Sequence, residues 1–300
     1  MIAILGAGSL GRLWAATLPA GQVAFVPRPE RTSSSLHYRF QPLDDGPEQT
    51  IEVPWLEPGQ PISLLLVTTK AGDTLAALES TLPYLPVPTD TPIVLFQNGL
   101  GSQQQVAERW PDRPILAAST TEGANRPAPD VTIHAGSGET WIGALTGSAE
   151  CRVAGVGQQL AESGLIIHPE RDILHRLWQK LVVNAGINAF TAILNCPNGD
   201  ILEQTFYQQW IDPLCREISA LMKADGQPEQ PPEALRENIE AVARKTATNT
   251  SSMRADVLAG KTTEIRFING YLVHLGQQRG IATPVNQMLT ERVQLLNSQL

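Results

Sequence analysis

The strongest constraint on this chain sits at its very start. An apolar run, Ile2–Leu5, passes directly into Gly6-Ala7-Gly8-Ser9-Leu10-Gly11, and helical apolar spacing follows over residues 10–18 until Pro19. A GxGxxG recurs by chance, but one placed between a strand and a helix has the context of a dinucleotide-binding turn. Gly6 makes the tight turn, and Gly8 lets the backbone approach a pyrophosphate. Gly11 lets the helix pack closely on the strand, while the helix N-terminus, with its free N–H groups, receives the negative charge. Ala7, Ser9 and Leu10 complete the candidate cofactor-binding turn. The alternative is a glycine turn without a ligand.

The rest of the first half repeats this alternation. Residues 22–26, 62–67, 92–96 and 115–119 are short apolar runs, separated by helical spacing over 71–82 and near 102–109. Continuous apolar strands are buried on both faces, and strands alternating with helices give a parallel sheet. Residues 131–134 and 140–142 are shorter and more polar, with Gly136 and Gly138 between them, and read as an antiparallel hairpin at the sheet edge. After about residue 171 helical spacing dominates, over 173–195, 206–225, 233–248, 265–279 and 285–299, punctuated by prolines. The expected fold class is α/β: an N-terminal Rossmann-type doubly wound parallel sheet over residues 1–168, then an all-α C-terminal domain over 169–300.

Composition narrows the function. Charged residues are 17% and the formal net charge is −8, which suits neither a disordered chain nor a binder of phosphate backbones or basic membrane-surface anchor. No apolar stretch approaches membrane-spanning length, and the apolar N-terminus lacks the basic region of a signal peptide. Cys151, Cys196 and Cys215 are odd in number and without CxxC spacing, so neither a disulfide framework nor a metal site is expected. A cytoplasmic protein is the simplest reading.

The second strand ends in Val26-Pro27-Arg28-Pro29-Glu30-Arg31. An NAD site usually carries an acid there, about 20 residues after the turn. Arg28 stands at the strand end instead, and a guanidinium suits a 2′-phosphate. NADPH/NADP+ is therefore expected over NAD, with Glu30 nearby keeping the alternative open.

In the helical half, Lys180, Asn184 and Asn188 fall at i, i+4 and i+8 within an otherwise apolar stretch. Each four-residue step drifts only about 40°, so the three share one face. Buried amides and an ammonium need partners, either protein groups or a ligand. A desolvated lysine also acquires a pKa suited to proton transfer. The competing reading is a structural polar seam. A second constellation, Asn249-Thr250-Ser251-Ser252-Met253 followed by Thr263-Glu264-Ile265, fits helix capping as well as it fits a site. Thr68-Thr69-Lys70 and Gln97-Asn98-Gly99 follow buried runs, where open α/β sheets bind ligands. An ordinary loop lysine and an Asn-Gly turn remain the alternatives.

These motifs coincide in order along the chain. GAGSLG, VTTKA at 67–71, FQNGLG at 96–101, TTEGA at 120–124, KLVVNAGINAFTAI at 180–193, NCPNG at 195–199, NTSSM at 249–253 and TEIRFINGYL at 263–272 together resemble the ketopantoate reductase family. The resemblance implies a Rossmann domain and a helical domain with a cleft between them. It also implies an oxidoreductase that reduces 2-dehydropantoate with NADPH to (R)-pantoate, on the route to pantothenate and coenzyme A. By that resemblance Lys180 is the general acid, and Glu264 holds Lys180 and the substrate hydroxyl. Asn184 and Asn188 bind the hydroxyl end, and Ser252 with Asn249 binds the carboxylate. Asn98 and Lys70 line the nicotinamide and substrate, and Arg28 meets the 2′-phosphate. Glu122 is given no role.

Two alternatives stay open: a related two-domain dehydrogenase of another 2-oxo acid, and a catalytically silent NADPH-binding regulator. The expected partner is a small 2-oxo acid, with neither nucleic acid nor membrane. The sequence does not choose between monomer and homodimer.

Overall fold

The computed structural model describes residues 1–27, 33–43, 46–85 and 87–298. The chain divides into two compact units, one of Met1–Gln97 with Ser102–Arg176, the other of Asn98–Gly101 with Leu177–Leu300.

The first unit contains β1 (Ile2–Leu5), α1 (Ser9–Thr17), β2 (Val23–Phe25), β3 (Ser35–Gln41), β4 (Gln49–Pro54), β5 (Leu64–Val67), α2 (Thr74–Thr81) and β6 (Ile93–Leu95). It continues with α3 (Ser102–Arg109), β7 (Ile115–Thr120), β8 (Gly123–Ala128), β9 (Val131–Gly136), β10 (Glu139–Ala144), α4 (Val153–Ala161) and β11 (Ile166–Pro169). Among the described residues these strands form a seven-stranded sheet of order β11-β10-β7-β6-β5-β1-β2 and a four-stranded sheet of order β4-β3-β9-β8. In the large sheet β2, β1, β5, β6 and β7 run parallel, and β10 runs antiparallel to β7.

The apolar runs are continuous because both faces of the large sheet are covered. Successive side chains alternate between two cores. Ile2, Ile4, Leu64, Leu66 and Val94 pack with Leu13 and Trp14 of α1, and with Tyr38 and Phe40 of β3. Ala3, Leu5, Leu65, Val67, Ile93 and Leu95 pack with Leu78 of α2 and Val106 of α3.

One sequence expectation needs correction. Residues 131–134 and 140–142 do not form an edge hairpin: β9 pairs with β3 and β8 in the small sheet, while β10 joins the large sheet. Gly138 is the physical reason. A Cβ there would stand 2.3 Å from the Thr121 carbonyl carbon, so the chain squeezes past its own backbone while crossing between sheets. The small sheet itself was also not read from the sequence. Its signal exists in β3, where buried Tyr38 and Phe40 alternate with exposed His37 and Arg39.

The second unit is helical. It holds most of α5 (Ile173–Leu194), then α6 (Thr205–Ala224), α7 (Pro232–Lys245), α8 (Ser252–Leu258), α9 (Asn269–Arg279) and α10 (Pro284–Ser298). Helix α5 is its spine. Gly186 allows close approach to α7, since a Cβ would lie 2.6 Å from Ile239 Cδ1. Phe190 meets Phe206 and Tyr207 of α6 at ring-centroid distances of 5.7 and 4.9 Å. Trp178 packs edge-on against Tyr271 of α9 and donates its indole N–H to Asp225 Oδ2 at 3.1 Å. Among the described residues no helix is long and apolar enough to cross a membrane.

Candidate functional site

In the first unit the glycine turn lies where the sheet order reverses. Strand β1 is flanked by β2 on one side and by β5 on the other, the switch point at which open α/β sheets bind ligands. Gly6 has φ +112, a backbone conformation that favours glycine. The Thr68 hydroxyl donates to the Gly6 carbonyl at 2.7 Å, which ties the end of β5 to the turn. Gly11 is equally constrained: a Cβ there would fall 2.0 Å from the Gly6 oxygen and 2.6 Å from Thr68 Oγ1.

Gly8 is different. Nothing lies within 4 Å of a Cβ built on it, so the space above its backbone is open. As N-cap of α1 it offers no side-chain acceptor, and the first turn of α1 carries no acid. The first N–H groups of α1 therefore lack a side-chain cap, and the local charge is not unfavourable to an anion. This cradle fits a pyrophosphate.

Two further residues shape it. Buried Arg12 donates from Nε to the Ala7 carbonyl at 3.2 Å and from Nη1 to the Pro129 carbonyl at 2.7 Å. The Gln97 amide donates to the carbonyls of Val67 and Thr69 at 2.9 and 3.1 Å, bracing the loop before half-buried Lys70. Arg12 was not singled out from the sequence, and Gln97 only as part of Gln97-Asn98-Gly99, because carbonyl acceptors leave no sequence pattern. Arg28, with Glu30 and Arg31, lies outside the described residues.

In the second unit the polar stripe of α5 meets two remote segments. Glu264 directly precedes a short 3-10 turn, Ile265–Phe267, and its carboxylate acts on the Lys180 ammonium. Surrounding protein desolvates that ammonium and lowers its pKa, and Glu264 opposes the fall; the result is about 8. Asn98 donates from Nδ2 to Glu264 Oε2 at 3.1 Å.

The Asn98 segment is fastened to the same turn. The Leu100 N–H donates to the Phe267 carbonyl at 2.9 Å, and a Cβ on Gly99 would stand 2.0 Å from that oxygen. Gly99 has φ +80, so the Asn-Gly pair serves a close backbone approach as well as a turn. The structure thus brings Lys180, Glu264 and Asn98 together.

Farther along α5, Asn188 is buried and Asn184 half-buried. Thr191 donates to the Asn188 carbonyl at 2.9 Å and shares a 2.6 Å hydrogen bond with Ser251. Ser251, not Ser252, is the N-cap of α8, accepting from the Arg254 N–H at 3.1 Å. Ser252 is the first residue of that helix and is exposed, as is Asn249. The Asn198 N–H donates to the Asn249 carbonyl at 3.0 Å, which holds the Asn249 segment against the end of α5. Thr191 was legible but overlooked: eleven residues after Lys180, it returns to within about 20° of the same face.

Comparison with known proteins agrees with both halves. Residues 2–147 match the family model described as Ketopantoate reductase PanE/ApbA, and residues 172–297 match its C-terminal counterpart, Ketopantoate reductase PanE/ApbA C terminal. A 2-dehydropantoate 2-reductase of Vibrio cholerae serotype O1 is 35% identical over 98% of this chain and 97% of its own length. One from Halobacterium salinarum is 31% identical over 98% of each chain. Among solved structures, D-mandelate dehydrogenase with NADH and anilino(oxo)acetate superposes with a TM-score of 0.87 over 99% of this chain and 98% of that one. Its 22% identity makes this a likeness of fold. Two family models over the two halves, and relatives matched end to end, place the chain in the ketopantoate reductase family of oxidoreductases.

Proposed function

We propose that the chain reduces 2-dehydropantoate to (R)-pantoate with NADPH, in the cytoplasm, as a step toward pantothenate and coenzyme A. The single observation that carries this reading is the Lys180–Glu264–Asn98 group: an ammonium of lowered pKa beside one carboxylate that an amide holds in place.

The glycine turn from Gly6 to Gly11 would hold the pyrophosphate, with Arg28 on the 2′-phosphate and Lys70 and Asn98 beside the nicotinamide. Bound there, the reduced nicotinamide supplies a hydride for C2 of the 2-oxo acid. The Lys180 ammonium donates a hydrogen bond to the C2 carbonyl oxygen and gives up its proton as that oxygen gains charge. C2 gains a C–H bond, its oxygen gains the proton, and the neutral amine left behind regains a proton from solvent. A cation fixed at this oxygen stabilises the transition state more than the ground state.

Glu264 keeps the ammonium mostly protonated near neutral pH and accepts from the substrate hydroxyl. Asn184 and Asn188 bind the hydroxyl end, and Ser252 with Asn249 binds the carboxylate. The family membership and the end-to-end relatives named 2-dehydropantoate 2-reductase support the substrate.

The test is a spectrophotometric assay of 2-dehydropantoate with NADPH and with NADH, beside a panel of other 2-oxo acids. The reading expects turnover that is fastest with 2-dehydropantoate and NADPH. Faster turnover of another 2-oxo acid, or a preference for NADH, would replace the corresponding half of it.

A further inference from the structure

A buried polar chain crosses the helical unit behind the Lys180 group, and the reading above gives it no role. It begins at Glu217 of α6. One carboxylate oxygen accepts from the Val285 N–H at 2.7 Å, and the other from the Asn286 N–H at 3.0 Å and Asn286 Nδ2 at 2.7 Å. Asn286 therefore turns its amide oxygen the other way, where it accepts from Asn269 Nδ2 at 3.1 Å. The same Asn269 nitrogen donates to the Ala185 carbonyl of α5 at 3.3 Å. Asn269 and Asn286 are fully buried.

The two ends of this chain lie at informative places. Ala185 directly follows Asn184 of the polar stripe, about 1.4 turns beyond Lys180. Asn269 opens α9, five residues after Glu264, and only the 3-10 turn and Ile268 intervene. Ile268 breaks the helical path with φ −108 and ψ −96. The Glu264 turn is thus gripped just behind Glu264, by one amide that also bonds the helix carrying Lys180.

We propose that Asn269, oriented by Asn286 and Glu217, is a positioning residue that sets the register of the Glu264 turn against α5. Apolar packing lets two elements slide by fractions of an ångström at little cost. A directional hydrogen bond in a water-free interior does not. The inference rests on the reading of Lys180 as proton donor. The Glu264 carboxylate acts on that ammonium, and the neutral Asn98 amide donates to the same carboxylate.

The test follows the Lys180 side chain itself, by NMR titration of the full-length protein labelled with 13C-lysine, without substrate. The lysines are Lys70, Lys180, Lys223, Lys245 and Lys261, and Lys180→Arg assigns the resonance. Wild-type Lys180 is expected to titrate at about 8. In Asn269→Ala the carboxylate loses its fixed place and raises the ammonium's pKa less, so the midpoint moves down. A fall of about half a pH unit, roughly threefold in proton affinity, is expected. Asn286→Ala, which keeps the bond to Ala185 but loses its orienting acceptor, moves it less in the same direction.

In turnover, kcat falls on the order of tenfold while dinucleotide affinity holds. An unmoved Lys180 titration in either folded variant, with only a lowered Tm, makes this chain a plain core bond and overturns the proposal. Asn286→Ala decides the matter if Asn269→Ala does not fold. Full activity of Lys180→Ala, or wild-type Lys180 titrating like an ordinary lysine, removes instead the reading beneath it.

Discussion

The glycine turn after β1 consists of six consecutive residues, and what it offers a ligand is backbone: open space above Gly8 and the uncapped start of α1. The Lys180 group offers side chains, and they come from three separate segments. The Asn98 amide meets the Glu264 carboxylate across 166 positions of sequence. A backbone device tolerates almost any side chain that leaves its path open and fails when a Cβ intrudes. A side-chain device tolerates backbone neighbours but fails when one functional group is removed.

The sharpest break of this contrast is Lys180→Ala. Loss of a general acid is expected to lower kcat on the order of 100- to 10,000-fold, while NADPH affinity, measured by fluorescence titration, stays near wild type. Near-normal turnover would remove Lys180 from the acid role. The protonated amine is the active form, so wild-type kcat/KM should fall as pH rises through about 8. In Glu264→Gln the raising influence of the carboxylate is gone, so the same limb should move to lower pH.

Arg28→Ala comes next. Charge-assisted bonds to a phosphate are worth about 1.5–3 kcal/mol, so NADPH should weaken roughly ten- to a hundredfold with little change for NADH. Equal effects on both cofactors would end the 2′-phosphate assignment.

Gly11→Ala and Gly8→Ala then separate the two jobs within one turn. A methyl at Gly11 collides with the Gly6 carbonyl, and an overpacked site typically costs about 1–3 kcal/mol, read as a lowered Tm. A methyl at Gly8 meets nothing within 4 Å, so stability should stay within about 0.5 kcal/mol of wild type while NADPH binding weakens. A large stability loss at Gly8 would show that the open space is not there for a ligand.

The same contrast explains what could be read in advance. The parallel core was legible because β1, β5 and β6 are apolar throughout, covered on both faces. The stripe of Lys180, Asn184 and Asn188 was legible because helical geometry converts spacing into a shared face. The small sheet was not, since β8 contains Pro127 and its pairing with β9 shifts register twice, which hides any period. Nor could spacing decide between Ser251 and Ser252 as the cap of α8. Both are competent acceptors, and Thr191 of a distant helix meets Ser251.

By itself, then, the sequence determined local matters: a glycine turn between strand and helix, two kinds of periodicity, and a polar face along α5. Each follows from steric rules acting over a few neighbouring residues. The family resemblance named Glu264 and Asn98 beside Lys180, but only the tertiary structure brings their side chains together and surrounds the ammonium with enough protein to lower its pKa. Desolvation and contact across long stretches of chain depend on how the helices pack, and no spacing along the chain encodes that distance.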